Sequence, residues 1–241
     1  MLDIGGVITI NSEPYWLHPA YAELVFALGE NANIDYYRAF LPRPCTKITL
    51  LELGCGAGGL LLPLCRSGFR GVGVEGNAWL LEKCRTAADR IGVSPRFIHG
   101  HITTVDVGRT ADAILLDSVI INGGPKSFRS QVLKNISAHL AIGGKAILEV
   151  CNPEFFSRSR NLSEVRQDII CDRLMHFEND TVWVGRVVYK VTPTSVVVPM
   201  NFFLCSMDDF RSEMALHSLT IIGQSAPLNP ATRLICCEKS R

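Results

Sequence analysis

The sequence has little excess charge and no long apolar run. Its 24 lysine and arginine residues nearly balance 23 aspartate and glutamate residues, which leaves a formal net charge of +1. The basic residues are scattered, so the sequence has no clustered positive stretch that would attract a polynucleotide. Nucleic acid is therefore not an expected partner. No stretch reaches the ~18 apolar residues that span a bilayer, and the first ten residues lack a leader pattern. We therefore expect no membrane association and a cytoplasmic location.

Cysteine is frequent but unpatterned. The nine cysteines are odd in number, and no Cys-x-x-Cys pair points to zinc or a redox centre. We expect reduced, mostly buried thiols and no metal. With 47% hydrophobic residues in a chain of 241, the composition is that of a globular protein with one domain and a sizeable insertion.

Hydrophobic rhythm defines the elements of the first 150 residues. Residues 19–40 have mostly helical character. Beyond them, short apolar runs that end at glycine or an acid are typical of parallel strands covered on both faces. Helical patterns, one of them with Asn77 as N-cap and Gly92 at its end, separate the runs. The strands expected are 48–53, 71–75, 97–98, 113–117 and 146–150, with a turn at 143–144 before the last. This alternation predicts a doubly wound, mostly parallel α/β sheet.

After Cys151 the rhythm changes. Residues 162–175 predict a helix, and residues 182–191 and 195–204 predict a β-hairpin. Residues 206–209 predict a helix start, and further strands at 219–222 and 234–236 bring the sheet to seven. Three parts are expected. They are a helical N-terminal cover at 1–45, a core at 46–152 and 206–241, and an α+β insertion at 153–205.

Glycines at alternate positions follow the first core strand. In the sequence Glu-Leu-Gly-Cys-Gly-Ala-Gly at residues 52–58, they let backbone amides approach a ligand at a helix N-terminus. That geometry suits a nucleotide-like cofactor. The spacing of Gly54, Gly56 and Gly59 also satisfies the dinucleotide fingerprint, and Glu75 lies about 20 residues downstream, where an acid contacts ribose in either case.

Two features favour a different cofactor from a dinucleotide. Glu52 stands where an NAD site normally has an apolar residue, and its carboxylate suits a cationic amino-acid group. About 45 residues precede this strand, whereas dinucleotide domains commonly begin with it. From residue 48 to residue 150, the order and spacing resemble the class I methyltransferases. These have a Rossmann-like fold and use S-adenosylmethionine.

The resemblance implies the parts of a cofactor site. The match to residues 52–58 surrounds the methionine part of the cofactor, and the match to Glu75 accepts hydrogen bonds from both ribose hydroxyls. His101 stands where many relatives have an aspartate that contacts adenine, so an imidazole would stack on or bond to the ring. The residues expected at the cofactor are Glu52, Gly54, Cys55, Gly56, Gly58, Glu75, Gly76, Asn77, His101, Ile102, Asp117 and Ser118.

Acceptor contacts are expected from the N-terminal cover and the insertion, because the chain leaves the fifth core strand at the edge where the cofactor loops meet. The candidates for binding the acceptor are Tyr21, Tyr37, Asn122 and Arg158. Arg158 could clamp an anionic group. His176 is the candidate catalytic base, since imidazole titrates near neutral pH. Both residues also fit solvated positions.

The leading hypothesis is an S-adenosylmethionine-dependent O- or N-methyltransferase of a small-molecule metabolite. The insertion resembles the acceptor-covering elements of such enzymes, and no Asn-Pro-Pro-Tyr motif points to nucleobase amines. Three alternatives stay open: a methyltransferase of RNA or a protein side chain, an NAD(P)-dependent oxidoreductase, and a non-catalytic cofactor-binding module. A homodimer is also compatible with the sequence.

Overall fold

The computed structural model describes the chain except for residues 1–5, 12–13, 29–33, 157–159, 167–168, 179–181, 192–193, 228–229 and 241. The strands are β1 (Gly6–Thr9), β2 (Thr49–Leu53), β3 (Arg70–Glu75), β4 (Arg96–His99), β5 (Ala111–Leu116), β6 (Leu140–Cys151), β7 (Arg160–Arg166), β8 (Ile169–Glu178), β9 (Val182–Val191), β10 (Thr194–Phe203), β11 (Leu219–Gln224) and β12 (Thr232–Lys239). The helices are α1 (Pro19–Leu28), α2 (Ile34–Arg38), α3 (Leu61–Arg66), α4 (Ala78–Ile91), α5 (Lys126–His139), α6 (Pro153–Phe156) and α7 (Met207–Ala215).

A seven-stranded sheet forms the centre of the molecule. Its strand order is β11-β12-β6-β5-β2-β3-β4. The strand β12 is antiparallel to both of its neighbours, β6 and β11, and the other pairs are parallel. The predicted mostly parallel α/β sheet is confirmed. Strand order reverses between β2 and β5, and the carboxyl ends of strands at such a switch point leave a crevice for a ligand.

Both faces of β2 are covered, which explains its continuous apolar run. Leu51 and Leu53 pack into a cluster with Val72 and Ile114, whereas Leu50 packs into a second cluster with Leu115 and others. Successive strand residues point to opposite faces, so each face of a doubly covered strand needs its own apolar residues.

The helix after β3 begins and ends as the sequence predicts. The Oδ1 atom of Asn77 accepts hydrogen bonds from the amides of Trp79 and Leu80, and Gly92 ends the helix with a φ of +73°. An Asn at the N-cap satisfies amides that the helix itself cannot, and glycine adopts the left-handed C-cap without steric cost.

The turn predicted at 143–144 lies inside a longer strand. The register between β5 and β6 shifts between Ala111 and Ala113, whose partners are Leu140 and Lys145. Gly143, with a φ of +73°, lies in this irregular stretch. The chain therefore turns locally there while β6 continues on both sides.

A second sheet joins the N-terminal segment to residues 160–203, in the order β1-β10-β9-β8-β7. The predicted hairpin is confirmed as the antiparallel pair of β9 and β10. The helix predicted at 162–175 is wrong, because this stretch forms β7 and β8. These strands pair with each other, and β8 also pairs with β9. A short apolar pattern fits either period, and here the neighbouring strands decide for the sheet.

The N-terminal segment packs on this second sheet. The strand β1 runs parallel to β10, and Ala20 and Leu24 of α1 pack with Val196 and Val198 of β10. The helical character predicted for 19–40 takes the form of α1 and α2. The division of the chain into three parts stays a prediction. In the part of the chain that the structure describes, no helix is long and apolar enough to cross a membrane.

Candidate functional site

The glycine loop after β2 has a shape that side chains would not allow. Gly54 has a φ of +81° and Gly58 a φ of +97°. A Cβ atom at Gly54 would lie 2.6 Å from Cδ1 of Ile120, and one at Gly58 would lie 2.6 Å from Sγ of Cys84. The amides of Gly54 and Cys55 bind the carbonyl of Val74 on β3. The loop is thus held close to both β3 and the chain after β5.

The Glu75 carboxylate, which is only 8% exposed, lies at the end of β3 beside this loop. Its Oε2 atom accepts a hydrogen bond from the Gly56 amide at 2.9 Å, and its Oε1 atom accepts one from the Asn77 amide at 2.7 Å. Burial raises the pKa of Glu75, and the two amides oppose that shift. A carboxylate has about four acceptor positions, so this one can also accept hydroxyl groups of a ligand.

Aromatic rings form a wall beside Glu75. The ring centroids of Trp16 and His101 are 6.0 Å apart, and those of His101 and Phe128 are 6.4 Å apart. The buried Asn77 side chain fixes Trp16 there, because its Nδ2 atom donates to the Trp16 carbonyl at 2.7 Å. The cap of α4 therefore also anchors the N-terminal segment.

One cleft brings together eight of the residues predicted from the sequence. They are Tyr21, Gly54, Gly56, Glu75, Gly76, His101, Ile102 and Ser118. The sequence analysis missed the rest of the wall. Those residues are Tyr15, Trp16, Val25, Leu80, Gly100, Val119, Ile120, Gly123, Phe128 and Phe202. Most come from segments without a glycine or acid motif, and the aromatic character of Tyr15 and Trp16 is a signal that could have indicated two of them.

Four predicted cofactor residues lie behind the wall. Glu52 and Cys55 are buried, with exposed fractions of 2% and 1%. Gly58 faces Cys84 and Leu62, and Asn77 caps α4. Their direct contact with a cofactor stays a prediction. Their observed contacts are with the loop, the helices and the N-terminal segment that shape the cleft.

The predicted acceptor residues are placed less uniformly. Tyr21 lines the cleft. Tyr37 is fully buried, and its hydroxyl donates to Oδ1 of Asp117. Asn122, also buried, donates to the Phe203 carbonyl and accepts a hydrogen bond from the Cys151 amide. Contact of Tyr37 and Asn122 with an acceptor stays a prediction that their burial does not support.

The two remaining candidates lie in the predicted insertion. Arg158 falls outside the described residues. His176 belongs to β8, where its backbone is opposite Val184, and its side chain is outside the described part. Their proposed roles toward the acceptor stay predictions.

A pair of carboxyl groups lies behind Ser118, and of the two only Asp117 was predicted from the sequence as a site residue. The side chain of Glu149 on β6 interacts with that of Asp117, which follows β5. Burial first, and then repulsion by Asp117, raises the pKa of Glu149 to about 7. The Oε2 atom of Glu149 accepts a hydrogen bond from the Ser118 amide at 2.7 Å. Asp117 was predicted as a cofactor contact, and its observed partners are Tyr37, Ser118 and Glu149.

The cleft fits S-adenosylmethionine. Gly54 and Gly56 line the cleft with bare backbone, so no side chain of theirs keeps a ligand away from it. The Glu75 carboxylate is positioned for ribose hydroxyls, and the rings of Trp16 and His101 offer apolar faces for a base. The cleft thus presents polar and aromatic groups in the arrangement that a nucleoside needs.

Comparison with known proteins agrees with this interpretation. Residues 50–144 match a family model described as a methyltransferase domain. A ubiquinone biosynthesis O-methyltransferase from Rickettsia akari (strain Hartford) is 24% identical over 119 residues. This match covers 49% of the chain and 46% of that enzyme, so the aligned region spans about half the length of this curated relative.

Solved structures extend the similarity to most of the chain. An S-adenosylmethionine-dependent methyltransferase from Clostridium acetobutylicum ATCC 824 superposes with a TM-score of 0.74 at 15% identity, covering 92% of this chain and 97% of that chain. An S-adenosylmethionine-bound amino pentose methyltransferase from Micromonospora echinaspora, involved in calicheamicin biosynthesis, gives a TM-score of 0.71 at 18% identity. That match covers 92% of this chain and 98% of the other.

The fold is therefore that of the class I, Rossmann-like methyltransferases. Within this fold, residues 50–144 match the methyltransferase-domain model, and the solved neighbour from Micromonospora echinaspora has S-adenosylmethionine bound.

Proposed function

We propose that the protein transfers a methyl group from S-adenosylmethionine to an oxygen or nitrogen atom of a small molecule. The observation that carries the proposal is the Glu75 carboxylate, held by the amides of Gly56 and Asn77 in the wall of the cleft. An acid in this place accepts hydrogen bonds from two ribose hydroxyls without having to move. The backbone of Gly54 and Gly56 then lies beside the amino-acid part of the cofactor.

Binding and orientation are the main tasks of the chain. When bound, S-adenosylmethionine supplies a methyl group activated by its sulfonium. Trp16 and His101 would enclose the base of the cofactor, and Ile102 would add an apolar contact. The enclosed cleft would raise the rate in two ways. It would align the acceptor atom with the methyl carbon, and it would exclude water.

The residues that cover the cleft favour a small acceptor. Phe202 of β10 and Tyr21 of α1 line it together with the glycine loop. The second sheet and the N-terminal segment thus approach the cofactor position from the side of the acceptor. Such a cover suits a metabolite better than a polymer, and the names of the relatives include an O-methyltransferase and an amino pentose methyltransferase. Arg158 and His176 stay candidates for contacts with the acceptor. We also propose that the protein forms a homodimer and is located in the cytoplasm.

Calorimetry with S-adenosylhomocysteine tests the cofactor assignment. We expect binding by the wild type, with no comparable binding of NAD or NADP. Glu75→Gln should weaken it, because an amide accepts fewer hydrogen bonds than a carboxylate. Glu82→Gln is the matched control, since Glu82 is exposed on α4, where its carboxylate pairs with Arg85. Binding of NAD without binding of S-adenosylhomocysteine would contradict the proposal.

The acceptor class is tested by methyl transfer from labelled S-adenosylmethionine. Panels of small phenols, sugars and amines are compared with total RNA and with unfolded protein. Incorporation into a small molecule supports the proposal and shows whether oxygen or nitrogen is methylated. Incorporation into RNA or protein alone would overturn the small-molecule part and leave the cofactor assignment intact.

A further inference from the structure

Three side chains lead from the cleft wall into the interior at the ends of β5 and β6. Ser118 lines the cleft and is exposed, and its Oγ atom donates to Oδ2 of Asp117 at 3.3 Å. Asp117 is half-buried and interacts with Glu149, which is only 9% exposed and whose Oε2 atom accepts the Ser118 amide. A hydroxyl in this position can accept a proton from the cleft while it passes its own proton inward.

The two carboxyl groups are arranged to share a proton. A hydrogen bond between them requires that one is protonated, and their repulsion makes ionisation of both costly. Burial and the Asp117 charge raise the pKa of Glu149 to about 7, so the pair gains or loses its proton near neutral pH. The other groups that act on this pair or on its partners are Tyr37 of α2, Glu52 of β2, Cys151 of β6 and Thr232 of β12.

The backbone at the same point has an unusual conformation. Ser118 has a φ of +57° and Val119 a φ of +51°, although a branched side chain strongly disfavours this region. The Ser118 amide donates to Oε2 of Glu149 at 2.7 Å. The carboxyl group that titrates near neutral pH therefore also holds the turn that presents Ser118 to the cleft. Strain of this kind persists only where the surroundings impose it.

We propose that Ser118, Asp117 and Glu149 form a relay that carries the proton released by the methyl acceptor from the cleft into the buried carboxyl pair. The relay rests on the proposed methyl transfer. The acceptor proton passes to Oγ of Ser118, and the serine proton passes to Asp117. Meanwhile the acceptor lone pair bonds to the methyl carbon, and the electrons of the broken sulfur–carbon bond stay on sulfur. The carboxyl pair carries two negative charges before the step and one after it.

Infrared spectroscopy tests the carboxyl pair without any acceptor. The wild type should show a protonated carboxyl band that titrates at a pH of about 7 and is lost in Glu149→Gln. Asp117→Asn should move the midpoint to lower pH, because it removes the neighbouring charge. The exposed Glu82→Gln serves as control and leaves the band unchanged. A titrating band that survives in Glu149→Gln, or the absence of such a band in the wild type, overturns the relay.

Single-turnover methyl transfer, with an acceptor that the wild type methylates, tests the transfer of the proton. The wild-type rate should rise with pH around the same midpoint, and Glu149→Gln should move that midpoint to lower pH while it keeps the affinity for S-adenosylhomocysteine. Ser118→Ala should lower the rate by about 100-fold. His176→Ala should keep the wild-type midpoint. If His176→Ala abolishes the pH dependence and Glu149→Gln keeps it, histidine is the base and the relay is overturned.

These measurements separate the two proposals. Failure of the wild type to bind S-adenosylhomocysteine in calorimetry contradicts the proposed function, and the relay with it. The relay alone is contradicted if binding and methyl transfer are normal but Glu149→Gln changes neither the infrared titration nor the pH midpoint of the rate.

Discussion

The Glu75 carboxylate is fixed by two backbone amides before any ligand reaches it, those of Gly56 and Asn77. Gly56 belongs to the loop after β2, and Asn77 begins the helix after β3. A group that is already oriented loses little freedom when a ligand binds, so more of each hydrogen bond appears as affinity. One side chain thereby joins the glycine loop after β2 to the start of α4.

Replacing Glu75 by alanine should lower the affinity for S-adenosylhomocysteine by about 1.5 to 3 kcal/mol, because charge-assisted hydrogen bonds to ribose are lost. Calorimetry measures the change, with circular dichroism to show that the variant is folded. Glu82→Ala on the exposed face of α4 should leave the affinity unaltered. Equal affinity of folded Glu75→Ala and wild type would remove Glu75 from the site.

Gly58→Ala should destabilise the fold, since its Cβ atom would lie 2.6 Å from both Cys84 and Leu62. Gly143→Ala is the matched control, because Gly143 also has a positive φ but open space around it. Both variants carry backbone strain, and only the first adds overpacking. We expect Gly58→Ala to lose about 1 to 3 kcal/mol more unfolding free energy than Gly143→Ala in urea titrations. Equal losses would refute the steric argument.

Among the elements, α5 and α7 are joined by a buried ion pair. The Arg129 guanidinium donates to both carboxylate oxygens of Glu213 at 2.6 and 2.9 Å. Their side chains are 5% and 4% exposed. Such a pair fixes how two helices pack on the sheet, and loss of Arg129 leaves the buried Glu213 carboxylate with the more distant and exposed Lys126, at 3.9 Å.

Arg129→Met should therefore lower the free energy of unfolding by about 3 to 5 kcal/mol, as the Glu213 charge remains buried. Changing Glu213 to leucine in the same protein should restore most of the loss, because no charge is then left. Arg211→Met provides the exposed comparison on α7, where loss of the Asp208 pair should cost about 1 kcal/mol or less. Urea titrations measure these differences. This account would be contradicted if the double variant with Arg129→Met and Glu213→Leu were no more stable than Arg129→Met.

For the whole molecule, Glu149 makes stability depend on pH. Its pKa is raised from 4.5 in the unfolded chain to about 7 in the fold, so the folded state favours the protonated form. This contribution is complete below the unfolded pKa and is lost as pH rises through the folded value. The molecule should be less stable in mildly basic than in mildly acidic solution on account of this residue.

Glu149→Gln should remove that dependence, because glutamine imitates the protonated acid. Between pH values of about 5 and 8, the stability of the wild type relative to Glu149→Gln should fall by up to about 3 kcal/mol. Thermal and urea unfolding at several pH values measure the difference. Parallel pH profiles of the two proteins would show that Glu149 does not titrate in the fold as described.

The predictable part of the molecule was the part in which neighbours along the sequence are neighbours in space. The glycine loop, the Asn77 cap and the five strands from β2 to β6 follow from local patterns, and the structure brings Gly54, Gly56 and Glu75 together. The strands β7 and β8 could not be told from a helix, since their partners are other strands of the insertion.

The unpredicted parts of the site have the same physical cause. Trp16 is held at the cleft by a hydrogen bond from Asn77 to its carbonyl. The pKa of Glu149 is raised by burial and then by the Asp117 charge. No pattern within a single segment encodes either contact. Asp117 and Ser118 were singled out by position alone, and only the structure shows that they touch Glu149.

The pairing of β1 with β10 places Gly6 opposite Thr194. Most of the chain lies between these two residues in the sequence. Closing so long a loop costs entropy that must be spent before the contact forms, which makes such contacts late events in folding. The strand β10 has to be in place before β1 can add to it, and Trp16 follows β1 closely in the sequence. We therefore expect the aromatic wall over Glu75 to be completed late in folding. We also expect it to open before the central sheet does, which native-state hydrogen exchange would show as faster exchange of the amides of residues 15–17.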